Sequence, residues 1–386
     1  MYRAKIIRKG TAGMGMKNNS KAYVLMLVTM LLLTGITVYA DTSGFEHSSK
    51  GYYTVFEQGT EKEIFATSWE VDVGDKYHST ENKMYEVVEV DRDGKKAYAK
   101  FIEDVKMPEI DEIFVTETMQ TARRERQVAL YFSHNAESYV PTDGTDSKPG
   151  RGGIVEVGEA FKKGFEKYGV KASVDTTSHE PHDANSYVRS RRTATRLLQK
   201  GPDAIFDIHR DAIPKEHYIT TVNETPAAKI RIVLGRRNQN LKANEELARK
   251  IKALSDNSYP GFVRDIFYAR GNYNQDLAPR VLLFEFGTHE HTRERAENSA
   301  EIFAEIVTKA MYGGTTVKGE RVQGEQQSSE GTGSGLTWLF VIAGLGGLVY
   351  LLLSTGGREM FSKVRGFAKR EFGSFLARRN KRDGEK

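Results

Sequence analysis

Apolar and polar positions follow two different rhythms along this chain, and the change of rhythm divides it. Between about residues 50 and 106, short runs repeat with a period of two. They are Tyr52-Tyr53-Thr54-Val55-Phe56, Met84-Tyr85-Glu86-Val87-Val88-Glu89-Val90 and Ala97-Tyr98-Ala99-Lys100-Phe101-Ile102. Period two is the strand rhythm, and Asp91-Arg92-Asp93-Gly94 between the last two supplies hairpin turn residues. The segment 41–118 therefore reads as a small antiparallel β module outside the main domain. From about 126 the pattern changes. Apolar runs at 127–132, 170–174, 204–208, 230–234 and 281–286 predict buried strands. Helical spacing fills 155–168, 187–199, 238–254 and 293–311. In the first of these, Val157, Ala160, Phe161, Phe165 and Tyr168 mark one apolar stripe that stops near Gly169. Strands separated by helices of this length predict an α/β domain over 126–313: an open, mainly parallel sheet with helices on both faces.

Two further runs have no rhythm because they hold no charged residue: 22–40 and 336–354. Each is about the 20 residues that cross a bilayer's hydrocarbon layer of roughly 30 Å. The first ends in Val38-Tyr39-Ala40, so it reads either as an anchor or as a signal peptide cut before Asp41. The second carries Trp338 and Tyr350 near its ends, where interfacial anchors sit. Residues 314–335, rich in Gly, Ser, Gln and Glu, read as a flexible tether to it.

Charge changes the picture more by its placement than by its total of +5. Residues 1–21 carry +6 and residues 355–386 another +6, which leaves −7 for 22–354. A nucleic-acid binder concentrates basic charge on its folded part, so that class is excluded. Lys and Arg favour the cytoplasmic side. The basic segments 1–21 and 355–386 are thus expected inside a cell membrane, with 41–335 outside. The chain has no cysteine, which removes thiolate ligands and cysteine nucleophiles.

The candidate chemistry gathers at predicted strand ends, where open α/β sheets bind their ligands. His134 follows the first strand in Tyr131-Phe132-Ser133-His134-Asn135-Ala136-Glu137, and a turn there brings His134 and Glu137 to one side. His209 follows the strand at 204–208. Two imidazoles and a carboxylate are three ligands for Zn2+, leaving its fourth position open. Glu285 ends the apolar strand Val281-Leu282-Leu283-Phe284, where a desolvated carboxyl has a raised pKa and suits a general base. Arg210, beside His209, is a candidate for holding a substrate carboxylate or oxyanion. A lone His-x-x-Glu spacing is common by chance; weight comes from three separate strand ends carrying metal-site chemistry. Two rival clusters remain: His179-Glu180-Pro181-His182-Asp183 reads as an exposed polar loop, at most one that contacts substrate, and in Thr288-His289-Glu290-His291 the first histidine is a further candidate for the site that spacing does not require.

At these residues the chain resembles the stage II sporulation protein P family of cell-wall amidases. The segments that carry the resemblance are YFSHNAESYVP at 131–141, FDIHRDA at 206–212 and YNQDLAPRVLLFEFG at 273–287, with VEVGEAFKKGFEKYGV at 155–170. It spans about 128–312 together with the amino-terminal apolar run. The resemblance implies a zinc amidase-like α/β fold and cleavage of the N-acetylmuramoyl-L-alanine amide of peptidoglycan, with stem-peptide crosslinks as a further target. By motif it makes His134 and His209 metal ligands and Glu285 the catalytic glutamate. Glu137 matches the acidic position, with Glu156 or Glu159 on the following helix as alternatives. It also implies a role in sporulation (engulfment) and a lytic transglycosylase partner, stage II sporulation protein D. The second apolar run and the basic tail depart from the single anchor the resemblance implies. Two other readings share the same residues: a non-catalytic wall-binding protein that keeps the fold, and a zinc carboxypeptidase or endopeptidase of the stem peptide.

Overall fold

The computed structural model describes residues 51–114, 125–183 and 185–313. Both apolar runs, the tether and the two basic segments lie outside the described residues. Among the described residues, no helix is long and apolar enough to cross a membrane.

The amino-terminal strands are β1 (Tyr53–Glu57), β2 (Glu63–Thr67), β3 (Lys76–His78), β4 (Lys83–Asp91) and β5 (Lys96–Asp104). They are followed by β6 (Gln127–Tyr131), β7 (Lys171–Val174), β8 (Ala204–Asp211), β9 (Ile219–Val222), β10 (Thr225–Ala228), β11 (Ile230–Gly235), β12 (Val263–Ala269) and β13 (Val281–Thr288). β9 and β10 form a separate hairpin. All the others join one sheet of 11 strands in the order β2-β1-β5-β4-β3-β12-β11-β13-β8-β6-β7.

This sheet corrects the expectation of a mainly parallel one. Neighbours β7, β6, β8 and β13 are parallel, as are β11 with β12 and β1 with β5. β11 is antiparallel to β13, and the ladders β12/β3, β3/β4, β4/β5 and β1/β2 are also antiparallel. The sheet is mixed because β11 runs against β13 within the main domain and because the amino-terminal strands add to it through β3. A three-residue strand such as β3 leaves too little period-two pattern to read.

β12 has no counterpart among the predicted strands. Arg264 and Asp265 interrupt its apolar run, yet both are buried, and Asp265 pairs with Arg231 of β11 at 2.7 Å. β8 and β13 also run further than their apolar cores suggest. His209 and Glu285 consequently lie within strands rather than after them.

Each sheet face is covered differently. On one, helix Ile154–Lys167 packs Phe161 and Phe165, and helix Arg293–Tyr312 packs Phe303 and Val307, against Phe206, Ile208, Phe284 and Phe286. These two helices approach closely at Gly164, where an added Cβ would stand 2.6 Å from the Ala304 Cβ and 2.8 Å from the Glu301 carbonyl. Only glycine fits there. On the other face, helix Ser186–Leu198 covers one side through Tyr187, Ala194 and Leu197. The segment carrying Phe65, Trp69 and Val71 covers the other, packing on Val233, Phe267 and Leu283. The polar residues of β8 and β13 open onto this second face. Strand alternation puts Asp207, His209, Asp211 and Glu285 on the side of Leu283.

Candidate metal centre and its carboxylate neighbour

The chain leaves β6 at Tyr131 and turns at once, the Glu137 N–H donating to the His134 carbonyl at 3.2 Å. That turn sets His134 Nδ1 3.4 Å from Glu137 Oε1. From β8, His209 places its Nδ1 3.3 Å from the same oxygen. One ligand atom each from His134, Glu137 and His209 all lie within 4.8 Å of one another, and all three residues are buried. Backbone packs tightly behind this turn: a Cβ at Gly152 would stand 2.1 Å from the Glu137 carbonyl oxygen, so that position requires glycine.

Charge around the cluster is finely opposed. Burial alone would push the Glu137 carboxyl up, but His209, His134 and Arg210 outweigh it and hold the group well below the usual carboxylate range. Burial likewise disfavours charge on His209, yet the Asp207 and Glu137 carboxylates push its pKa up to about 10. Asp207 Oδ1 lies 3.1 Å from His209 Nε2 and also accepts from the Ser133 N–H at 2.8 Å. Ser133 Oγ lies 2.9 Å from His209 Nε2. The cluster's two nitrogens and one oxygen are a donor set that suits a metal ion such as zinc. His182, on an exposed loop, stacks its ring over His134 at 4.2 Å between centroids.

Glu285 sits beside this cluster, directly across the β8/β13 ladder from His209. Its side chain is fully buried. Oε1 accepts from Trp69 Nε1 at 2.7 Å, and Oε2 lies 3.0 Å from the Tyr218 hydroxyl. That hydroxyl is also 2.9 Å from Asp211 Oδ2, and with one hydrogen it donates to one carboxylate at a time. Arg231 Nη1 lies 3.0 Å from Asp211 and 3.8 Å from Glu285. Desolvation and the Asp211 charge outweigh Arg231, Trp69 and Tyr218, raising the Glu285 carboxyl to about 8.

The alternatives for the acidic ligand do not join the cluster. Glu156 pairs with Arg151 at 3.0 Å and Glu159 lies 3.8 Å from Lys162, both on the outer side of their helix. Arg210 is committed elsewhere than expected. Its backbone N–H donates to Glu137 Oε2 at 2.9 Å, and its guanidinium donates to the Ser138 and Asp146 carbonyls at 3.3 and 2.8 Å. Here Arg210 clamps the loop that carries Glu137. His179, expected to be exposed, is buried with its ring nitrogens on the Phe132 carbonyl and the Thr193 hydroxyl. His291 is turned to the Thr288 backbone, and neither it nor His289 enters the cluster. Trp69, Tyr218, Arg231, Ser133 and Asp207 were not singled out by sequence. Their role depends on partners distant in the chain.

Residues 41–308 match the family described as stage II sporulation protein P. A curated relative, stage II sporulation protein P of Bacillus subtilis (strain 168), is 30% identical over 212 residues, or 50% of this chain and 53% of its own. The chain thus spans about half the length of that relative. Among solved structures, the CwlD amidase of Clostridioides difficile in complex with the GerS lipoprotein is similar at 12% identity and TM-score 0.34, covering 49% of this chain and 95% of that one. The N-acetylmuramyl-L-alanine amidase Ami1 of Mycobacterium smegmatis is similar at 12% identity and TM-score 0.32, over 49% and 95%.

Proposed function

The chain belongs to the stage II sporulation protein P family, and from that premise we propose that it is a zinc-dependent peptidoglycan hydrolase. In this reading it cleaves the N-acetylmuramoyl-L-alanine amide during sporulation wall remodelling, and stem-peptide crosslinks as a second target. The observation that carries the reading is the buried His134, Glu137 and His209 group with Glu285 abreast of His209 on the next strand. His134, Glu137 and His209 would hold the ion, which when bound supplies Lewis acidity to the scissile carbonyl and to water. Glu285 takes a proton from the attacking water on a carboxylate oxygen and returns it to the leaving amine nitrogen. With its carboxyl raised to about 8, roughly one Glu285 in ten is the carboxylate base at pH 7, and that share grows as pH rises towards 8. Arg210 and Ser133 keep Glu137 and His209 in register.

The domain would act outside the cell membrane, held by the apolar runs 22–40 and 336–354, with stage II sporulation protein D as its wall-cleaving partner. The test is the release of free muramoyl ends and stem peptides from purified sacculi by the full chain in detergent. Release that stops with a chelator and returns with zinc is expected. Release indifferent to chelator sinks the zinc reading, and products cut only within the stem peptide would assign the enzyme as an endopeptidase instead.

A further inference from the structure

Between β2 and β3 the chain crosses the second face of the sheet, and it is tied there to the polar residues of three strands. The Ala66 carbonyl accepts from Arg231 Nη2 of β11 at 3.0 Å. Ser68 donates twice to Asp211 Oδ1 of β8, from its N–H at 3.2 Å and its Oγ at 2.7 Å. Trp69 donates to Glu285 of β13. Resting on the reading of Glu285 given above, we infer that Trp69 is a positioning residue that fixes the Glu285 carboxylate. The amino-terminal β segment thereby supplies an obligatory part of the hydrolytic site.

The chemistry favours positioning over simple packing. An indole N–H is a donor only, so Trp69 can meet a carboxylate in one way. The ring itself has little freedom. It is fully buried, it meets Tyr273 edge-on at 5.0 Å, and Tyr273 in turn meets Tyr187 at 5.1 Å. The Tyr187 ring lies 5.5 Å from His134. A continuous aromatic wall therefore runs from Trp69 to the metal ligands. A glutamate has three rotatable bonds, and a general base works only within about 2.6–3.2 Å of its proton. Trp69 holds Oε1 while Oε2 shares the Tyr218 hydroxyl with Asp211, so the Trp69 contact does most to set the plane of the carboxylate. Removing the Trp69 contact leaves Glu285 in place but free to turn.

Trp69→Phe keeps an aromatic ring but deletes the N–H, together with the five-membered half of the indole. In the full chain we expect its kcat on soluble peptidoglycan fragments to fall about tenfold to a hundredfold, the range for losing a partner that orients a metal-site group. KM, zinc content and melting temperature should stay at the parent values. On a Glu285→Gln background, the same substitution should cost nothing further, because the group it orients is gone. A Glu285→Gln enzyme of full activity would defeat the reading of Glu285 itself. An inactive Glu285→Gln together with an unchanged Trp69→Phe kcat overturns only the present inference. So does a Trp69→Phe loss that persists undiminished on the Glu285→Gln background. If Trp69→Phe lowers the melting temperature, Ser68→Ala takes its place: it loosens the same segment at Asp211, a smaller fall in kcat is expected, and no fall refutes the inference.

Discussion

The two halves of the site are built in opposite ways. In the His134, Glu137 and His209 group, one turn after β6 supplies two members, and only the third comes from elsewhere, from the neighbouring β8, 72 residues after Glu137. The Glu285 half is assembled from afar. Its carboxylate meets Trp69, 216 residues earlier in the chain, and Tyr218, 67 residues earlier, beside an Arg231 that also serves Asp211 and Asp265. The first half resembles a motif, the second a tertiary network. In buried networks each member depends on its partners being present, so damage there spreads. In the local half, damage is expected to remove the ion and leave the fold.

The largest contrast is predicted between His209→Ala and Glu285→Gln. Both should lower turnover on sacculi by about 10² to 10⁴ fold, the contribution of a positioned acid–base group or of the site it serves. Only His209→Ala should lose stoichiometric zinc on purification. Retention of metal by His209→Ala, read by elemental analysis, would break the division of labour between the halves. A second contrast concerns stability. Arg231 is fully buried and pairs with Asp265 and Asp211, so Arg231→Met leaves Asp211 in the interior without its cation and Asp265 with Arg264 alone. That change should lower unfolding free energy by about 3–5 kcal/mol, the usual cost of an uncompensated buried charge. Chemical denaturation measures it, and a loss below about 1 kcal/mol would show that water reaches this network.

The same contrast explains what could be read from sequence. His134, His209 and Glu285 stood at the ends of apolar runs, and the His134–Glu137 spacing matched a turn, so local pattern was enough. The main helices and the strands β6, β8, β11 and β13 followed from periodicity for the same reason. β12 did not, because the charged Arg264 and Asp265 interrupt its apolar run, and only the distant Arg231 makes Asp265 at home in a buried strand. Nor did the mixed sheet, since nothing local marks β11 as running against β13, and the β3/β12 ladder joins Lys76–His78 to the far Ile266–Tyr268 through strands only partly apolar. Trp69 lies outside the period-two runs of the β segment. Nothing near it in the chain points to Glu285.

The smallest predicted effect tests that join directly. His78 ends β3 at the ladder with β12 and is fully buried, its Nε2 3.0 Å from Asn82 Oδ1. Burial, with the charges of Lys252 and Arg249 on helix Leu241–Ser258, lowers its pKa to about 4, against the opposing pulls of Asn82 and of Asp265 on β12. Unfolded, the imidazole titrates near 6.5. Between about 4 and 6.5 the unfolded chain therefore binds more protons, and stability must rise with pH across that window. The contribution is complete above about 6.5 and is lost as pH falls through the folded value. Asp75, raised to about 6 mainly by burial, acts in the opposite sense over part of the same range, so the wild-type slope alone is ambiguous. The difference between wild type and His78→Gln isolates the histidine. Wild type should lose more stability than the variant between pH 7 and pH 5, measured as denaturation midpoints. Identical slopes would mean that the β3/β12 join is hydrated, and with it the premise that the amino-terminal strands are sealed onto the sheet that carries Glu285 would fail.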